Sequence, residues 1–262
     1  MTSSTSSTTP SSTPIVLITG GSRGLGRSAA LAAARSGIDV VLTYRQQAAE
    51  AQAVVAKIEA LGRRAVALPL DVGDVRSFGT FAAQLAQALH THWQRQRFDF
   101  LVNNAGMGVH APITDTTEAQ FDALVNVHLK GVFFLIQRLL PLMNDGGRIL
   151  NLSSGLARFA LPGYAAYAAM KGAVEVLSRY LAQELGPRGI AVNVMAPGAI
   201  ETDFGGGAVR DNAQLNAFIA GQTALGRVGV PDDIGPLVAA LLQPATRWVN
   251  AQRIEASGGM FL

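Results

Sequence analysis

Residues 15–26 read Ile15-Val16-Leu17-Ile18-Thr19-Gly20-Gly21-Ser22-Arg23-Gly24-Leu25-Gly26. The first five form a short β-branched apolar run, the pattern of a buried strand. Glycines stop that run, and a stretch rich in Ala and Leu follows over 23–36, with helical content. A glycine turn between strand and helix lets the backbone bend tightly and approach an anion. There the free N–H groups of the helix start, and its dipole, favour negative charge. The spacing of Gly20, Gly24 and Gly26 differs from the commoner G-x-G-x-x-G pattern, so it is the context that carries weight.

Working outward, the same alternation continues. Further strands are expected at 39–44, 65–70, 98–103, 148–152, 191–195 and 253–255. Helices are expected at 48–61, 75–96, 118–143, 164–185 and 231–242. Strands that alternate with helices imply right-handed crossovers and a parallel sheet covered on both faces. The expected fold is therefore α/β, a doubly wound parallel sheet of Rossmann type. Ligands of such a fold sit at the carboxyl ends of the strands.

At 262 residues, with 49% apolar and 15% charged residues, the chain suits one large domain with a sizeable core. That domain is expected over 15–262. Residues 1–14 are almost wholly Ser, Thr and Pro, and are expected to be a disordered tail without an apolar leader. A cytoplasmic protein is expected, without a membrane span. With no Cys, the chain has neither disulfides nor thiolate chemistry. A net charge of +3 is too weak and scattered to indicate nucleic acid. No grouping of His and carboxylates has ligand spacing, so no metal is expected, and His90 and His92 are assigned to a solvated helix end.

Tyr167 and Lys171 stand four apart on an expected helix, hence about 40° apart around its axis and on one face. A free phenol, with a pKa near ~10, is a poor acid–base group at neutral pH. A neighbouring ammonium group stabilises the phenolate and is expected to lower that value. Tyr164 has Ala168 four residues on, and so no lysine partner on its face. Ser153 and Ser154 adjoin, and strand alternation points them to opposite sides.

Together these motifs resemble the single-domain short-chain dehydrogenase/reductase family, and the resemblance covers 15–262. Thr19–Gly26 looks like its TGxxxGxG loop. Asp71-Val72, Asn103-Asn104-Ala105-Gly106, Asn126, Ser154, Tyr167-x-x-x-Lys171 and Pro197-Gly198 follow in the family's order. The resemblance implies an oxidoreductase moving a hydride between a nicotinamide and a carbonyl or secondary alcohol. It makes Tyr167 the general acid–base, Lys171 its pKa modifier and ribose ligand, Ser154 the substrate orienter and Asn126 the relay anchor. His128, two positions beyond Asn126, is assigned a structural or surface role.

The resemblance also implies cofactor contacts, each with a physical rationale. Gly20, Ser22, Gly24, Leu25 and Gly26 form the phosphate turn. Asp71 and backbone at Val72 read the adenine, while Asn103, Ala105 and Gly106 let the backbone approach a ribose. Pro197, Gly198, Ile200 and Thr202 hold the nicotinamide end. After the second strand the chain reads Tyr44-Arg45, with no carboxylate to bond a ribose 2′-OH. Arg45, with Arg23 and Ser22 nearby, offers a guanidinium fork suited to a 2′-phosphate, so NADP(H) is expected over NAD(H).

A flap is expected over 203–223, hinged at Gly205, Gly206 and Gly207. Met107, Val109, Leu156, Phe159, Leu161 and Phe218 would make apolar walls, and Arg158 either binds a substrate carboxylate or faces solvent. The substrate is expected to be small and mainly apolar. A 3-oxoacyl-thioester reductase and a nonenzymatic NADP(H)-binding regulator are the alternatives. The Ala-rich, apolar helices 118–143 and 164–185 are expected to bury a second face in a homo-oligomer, most simply a tetramer.

Overall fold

The computed structural model describes residues 13–262, so all but the last two residues of the expected tail lie outside it. Strand β1 (Ile15–Ile18) is buried along its whole length, since helices cover both faces of the sheet. Helix α1 (Gly24–Arg35) and strand β2 (Asp39–Tyr44) complete the first crossover. Helix α2 (Ala48–Ala60), strand β3 (Ala65–Pro69), helix α3 (Phe78–Trp93) and strand β4 (Phe98–Asn103) follow. Next come helices α4 (Glu118–Val125) and α5 (Gly131–Leu139), strand β5 (Met143–Leu152), helix α6 (Ala165–Glu184) and strand β6 (Ala191–Pro197). Helices α7 (Ala208–Asp211), α8 (Ala213–Gly221) and α9 (Pro231–Leu241) lead to strand β7 (Arg253–Ala256).

The seven strands form one parallel sheet in the order β3-β2-β1-β4-β5-β6-β7. One face packs Val16, Ile18, Val40 and Leu42 against the alanines of α1 and against Ile234 and Val238 of α9. Small residues set that spacing: a Cβ on Gly235 would lie 2.3 Å from the Ser28 hydroxyl oxygen. The opposite face packs Ile15, Leu17, Phe98 and Ile149 against Phe81 and Leu85 of α3 and Leu135 and Leu139 of α5.

Two expected boundaries moved. The single helix expected over 118–143 is interrupted by a π-helical turn at Asn126–Lys130, and the Gly131 N–H reaches back to the Asn126 carbonyl. A Cβ on Gly131 would sit 2.1 Å from the Val72 carbonyl oxygen, so only glycine lets the helix cross the end of β3's loop here. Strand β5 starts at Met143 rather than 148, because Met143 pairs with Phe98 before a register shift brings Arg148 opposite Phe100.

The strand order reverses between β1 and β4, and the loops after them diverge to leave a crevice at their carboxyl ends. Hydrogen bonds join the two sides. The Thr19 hydroxyl oxygen accepts from the N–H groups of Asn104 and Ala105, both at 3.0 Å.

Candidate active site

The glycine turn is held from below by β2 and from the side by β4. Gly21 N–H donates to the Thr43 carbonyl at 2.8 Å, and the Asn104 amide donates to the carbonyls of Thr19 and Gly20. Asn104 was not among the expected contacts; its only signal was a position inside the Asn103–Gly106 motif. Gly20 and Gly24 occupy the left-handed region, φ +66° and +54°. A Cβ on Gly26 would fall 2.2 Å from the Gly20 carbonyl oxygen. The turn therefore presents bare backbone at the start of α1, which fits the phosphates of a dinucleotide.

Gly26→Ala should force the turn apart. Overpacking costs about 1–3 kcal/mol, so a melting temperature lower by ~3–10 °C is expected. A tenfold or greater weakening of dinucleotide binding by fluorescence titration should accompany it. Wild-type binding and melting would show that the turn tolerates the methyl.

The other expected cofactor residues lie at or just beyond the carboxyl ends of β1, β2, β3, β4 and β6. Leu25 packs on the core beneath it, Ser22 is half-buried, and Tyr44 lies against the core at the end of β2. Arg45 is exposed and, among the described residues, has no ion-pair or hydrogen-bond partner. Arg23 is engaged differently: its guanidinium lies 3.6 Å from Asp203, so a phosphate there would draw it from an exposed ion pair. The Asp71 carboxylate accepts from Gly73 N–H at 2.8 Å. Asn103 turns its side chain into the sheet and donates to Asn151 at 2.8 Å, leaving only its backbone toward the crevice. Ala105 and Gly106 follow it out of β4. Pro197 ends β6, and Gly198 passes so close to Ser257 that a Cβ would be 2.8 Å from its Cα. Ile200 bridges to Gly229, and the Thr202 hydroxyl accepts from Phe204 N–H above Gly24.

Beside the crevice, Ser154, Tyr167 and Lys171 converge. Ser154 is carried by the turn after β5; its hydroxyl accepts from Leu156 N–H at 3.2 Å and stands beside the Tyr167 phenol. Tyr167 and Lys171 are buried on one face of α6, with Nζ 5.6 Å from the centre of the phenol ring. Lys171 donates to the Leu152 carbonyl at 2.7 Å. Burial, not the lysine, dominates the phenol: it raises the Tyr167 pKa above its ordinary value, and the adjacent Ser154 hydroxyl offsets this in part. The lowering expected from the lysine is thus overridden by the cost of a buried phenolate. Burial also brings Lys171 down to about 7, so it exchanges its proton near neutrality.

Ser153 and Ser154 do part as alternation requires. Ser153 donates to Glu175 at 2.6 Å, and Arg253 donates to the same Glu175 oxygen at 2.7 Å and to the Ser154 carbonyl at 3.3 Å. Arg253 also binds Glu255, which Arg158 grips through two nitrogens at 2.7 and 2.8 Å. Arg158 is thus part-exposed and held by Glu255 rather than free in solvent. Its partner lies 97 positions away, beyond any local reading.

Asn126 heads the π turn, half-buried, and its side chain has no hydrogen bond among the described residues. The ring packed edge-on against Tyr167 is that of His128, with centroids 5.2 Å apart and planes at 89°. His128 is 1% exposed, which excludes the surface role.

Apolar walls close the site. Met107, Val109 and Leu156 pack with Leu124, Tyr167 and Met170. Phe159 instead joins Ile219, Val228 and Met260 behind the site, while Leu161 is half-buried and Phe218 is 52% exposed. Phe204, at the start of the expected flap, lies against Gly108 with its ring 5.8 Å from that of Tyr167. Gly205, Gly206 and Gly207 all have left-handed φ, a conformation in which a side chain would be strained. Asp203 of this segment also pairs with Arg210 at 2.5 Å.

A phosphate-binding turn beside a half-buried serine and a buried tyrosine and lysine defines an oxidoreductase that works on a dinucleotide cofactor. The chain belongs to the short-chain dehydrogenase/reductase family. The family model described as enoyl-(acyl carrier protein) reductase matches residues 20–261. A hydroxynaphthalene reductase of Aspergillus fumigatus is 34% identical over 257 residues, covering 93% of this chain and 90% of that one. A promiscuous reductase, described as catalysing keto-reduction at C1 in lugdunomycin biosynthesis, superposes with a TM-score of 0.90 at 38% identity, covering 95% and 98% of the chains. An angucycline C-6 ketoreductase with bound NADP also gives 0.90, at 34% identity and 95% coverage of each.

Proposed function

We propose that this protein is an NADPH-dependent ketoreductase acting on an apolar, aromatic ketone in the cytoplasm. The observation that carries this is the convergence of Ser154, a buried protonated Tyr167 and Lys171 beside the glycine turn. The apolar walls support the aromatic substrate, as do the relatives that act on hydroxynaphthalenes and angucyclines. Arg45 and Arg23, with no carboxylate at the end of β2, support the 2′-phosphorylated cofactor.

When bound, the nicotinamide supplies the hydride. Ser154 orients the carbonyl oxygen by a hydrogen bond. Tyr167 then gives that oxygen its phenolic proton, for which a raised pKa is suitable, because the phenol stays protonated at neutral pH. Lys171, buried and titrating near 7, returns a proton to the phenol and binds the ribose. Asn126, at the head of the π turn, anchors the relay in this reading. Consumption of NADPH at 340 nm across ketones, quinones, steroids and acyl thioesters tests it. Turnover of aromatic ketones supports the proposal, thioester turnover favours the 3-oxoacyl alternative, and binding without any turnover favours the regulator.

We also propose a homotetramer. An 18-residue stretch within Glu118–Leu142 has a mean hydropathy of 1.4, and by length and composition alone it matches a membrane span. Interrupted by the π turn and packed on the sheet, it leaves Phe133 and Phe134 exposed, while neighbouring α6 exposes Val176 and Tyr180, the last at 66%. A second copy would bury this patch. Light scattering at micromolar concentration should give four times the chain mass; a monomer would overturn the assembly.

A further inference from the structure

His128 is a buried titratable group that the reaction as written does not use. Two contacts fix it, and one atom is left over. Its Nε2 lies 2.7 Å from the Met107 carbonyl oxygen and 3.3 Å from the Met107 N–H; the shorter contact is a hydrogen bond only with the proton on Nε2, and we assign it there. Its ring meets Tyr167 edge-on. Its Nδ1 is then a bare acceptor, buried and without a hydrogen-bond partner among the described residues. The π turn that carries it also places Gly131 on Val72, and Gly106 must lack a side chain, since a Cβ would lie 2.8 Å from the imidazole Cε1.

One ring thus touches both halves of the chemistry. Met107 belongs to the apolar wall where a substrate would rest, and Tyr167 is the proton donor. We propose that His128 is a positioning residue, a neutral imidazole that clips the Met107 carbonyl and braces the Tyr167 ring so that substrate wall and acid keep one fixed separation. The proposal rests on the ketoreductase reading for the roles of the two parts it joins. Misplacing reacting groups by about 1 Å can cost ~10²-fold in rate, so such a clip has a measurable consequence. Burial and the nearby Lys171 charge hold the imidazole pKa down to about 3, against a smaller raising by the Met107 carbonyl. The ring is therefore neutral across the working range and does not compete with Lys171 for a proton.

Two variants separate the contacts. His128→Phe keeps a ring against Tyr167, removes the bare Nδ1 and loses the Met107 clip. His128→Gln places an amide N–H near the same carbonyl but gives up the ring. For the Phe variant we expect kcat to fall about tenfold or more, with an NADPH Kd within twofold of wild type and a melting temperature equal or higher. The Gln variant, with the clip but not the brace, should have a kcat above that of the Phe variant and below that of wild type. A Phe variant with wild-type kcat, or losses in both variants that track their melting temperatures, overturns the proposal. If neither variant folds, nitrogen NMR of the wild-type imidazole decides. A neutral Nε2–H form held from pH 5 to 8 supports the clip, and a titrating ring refutes it. Wild-type turnover on the ketone panel reports separately on the ketoreductase reading, which can fail while the imidazole result stands.

Discussion

Tyr167→Phe is expected to bind NADPH as the wild type does and to lose about 10²–10⁴ in turnover, the usual range for removing a general acid. The ring stays, so its edge-on contact with His128 and its place on α6 are kept, while the one transferable proton is lost. The Ser154 hydroxyl keeps its bond from Leu156 N–H, so the turn after β5 should hold. Fluorescence titration of NADPH and steady-state turnover on one good ketone make the measurement. A variant that kept more than about a tenth of the wild-type rate would remove Tyr167 from the role of acid.

Arg45→Asp should reverse the cofactor preference. Arg45 stands exposed at the end of β2 and has no competing partner among the described residues, so its guanidinium is available to a 2′-phosphate without cost. Arg23 must first leave Asp203, 3.6 Å away, and so contributes less. A charge-assisted hydrogen bond contributes roughly 1.5–3 kcal/mol, which corresponds to about tenfold to a hundredfold in affinity. An aspartate there repels the phosphate and offers an acceptor to a free 2′-OH. The ratio of kcat/KM for NADPH to that for NADH should therefore fall by at least tenfold. Equal wild-type values, or an unmoved ratio in the variant, would falsify this assignment.

Much of this architecture was readable before any coordinates. Strands such as β1, β2 and β4 are apolar runs bounded by glycine or a polar turn, and they form within a residue or two of the expected limits. Helical spacing places Tyr167 and Lys171 on one face, while their joint role came from the resemblance. What escaped was non-local or irregular. The π turn has no periodic signature of its own, and the close approach that accompanies it, the Val72 carbonyl against Gly131, comes from another loop. His128 was judged only by its offset from Asn126, although it continues the inward stripe of Leu124, Gly131 and Leu135, which periodicity could have shown. The commitment of Arg158 and Arg253 to glutamates, and of Arg23 to Asp203, depends on pairings that only the folded chain creates.

The ionic chain from Arg158 through Glu255, Arg253 and Glu175 to Ser153 sets an order of events during synthesis. A growing polypeptide leaves the ribosome from its amino end, so the glycine turn and the first crossovers can form early. Ser154, Tyr167 and Lys171 emerge next, but the arginine that grips the Ser154 carbonyl comes some hundred positions later. Until β7 is made and docks beside β6, the serine turn is without that anchor. A nascent chain can thus fold its dinucleotide crevice well before its reactive hydroxyl is locked in place.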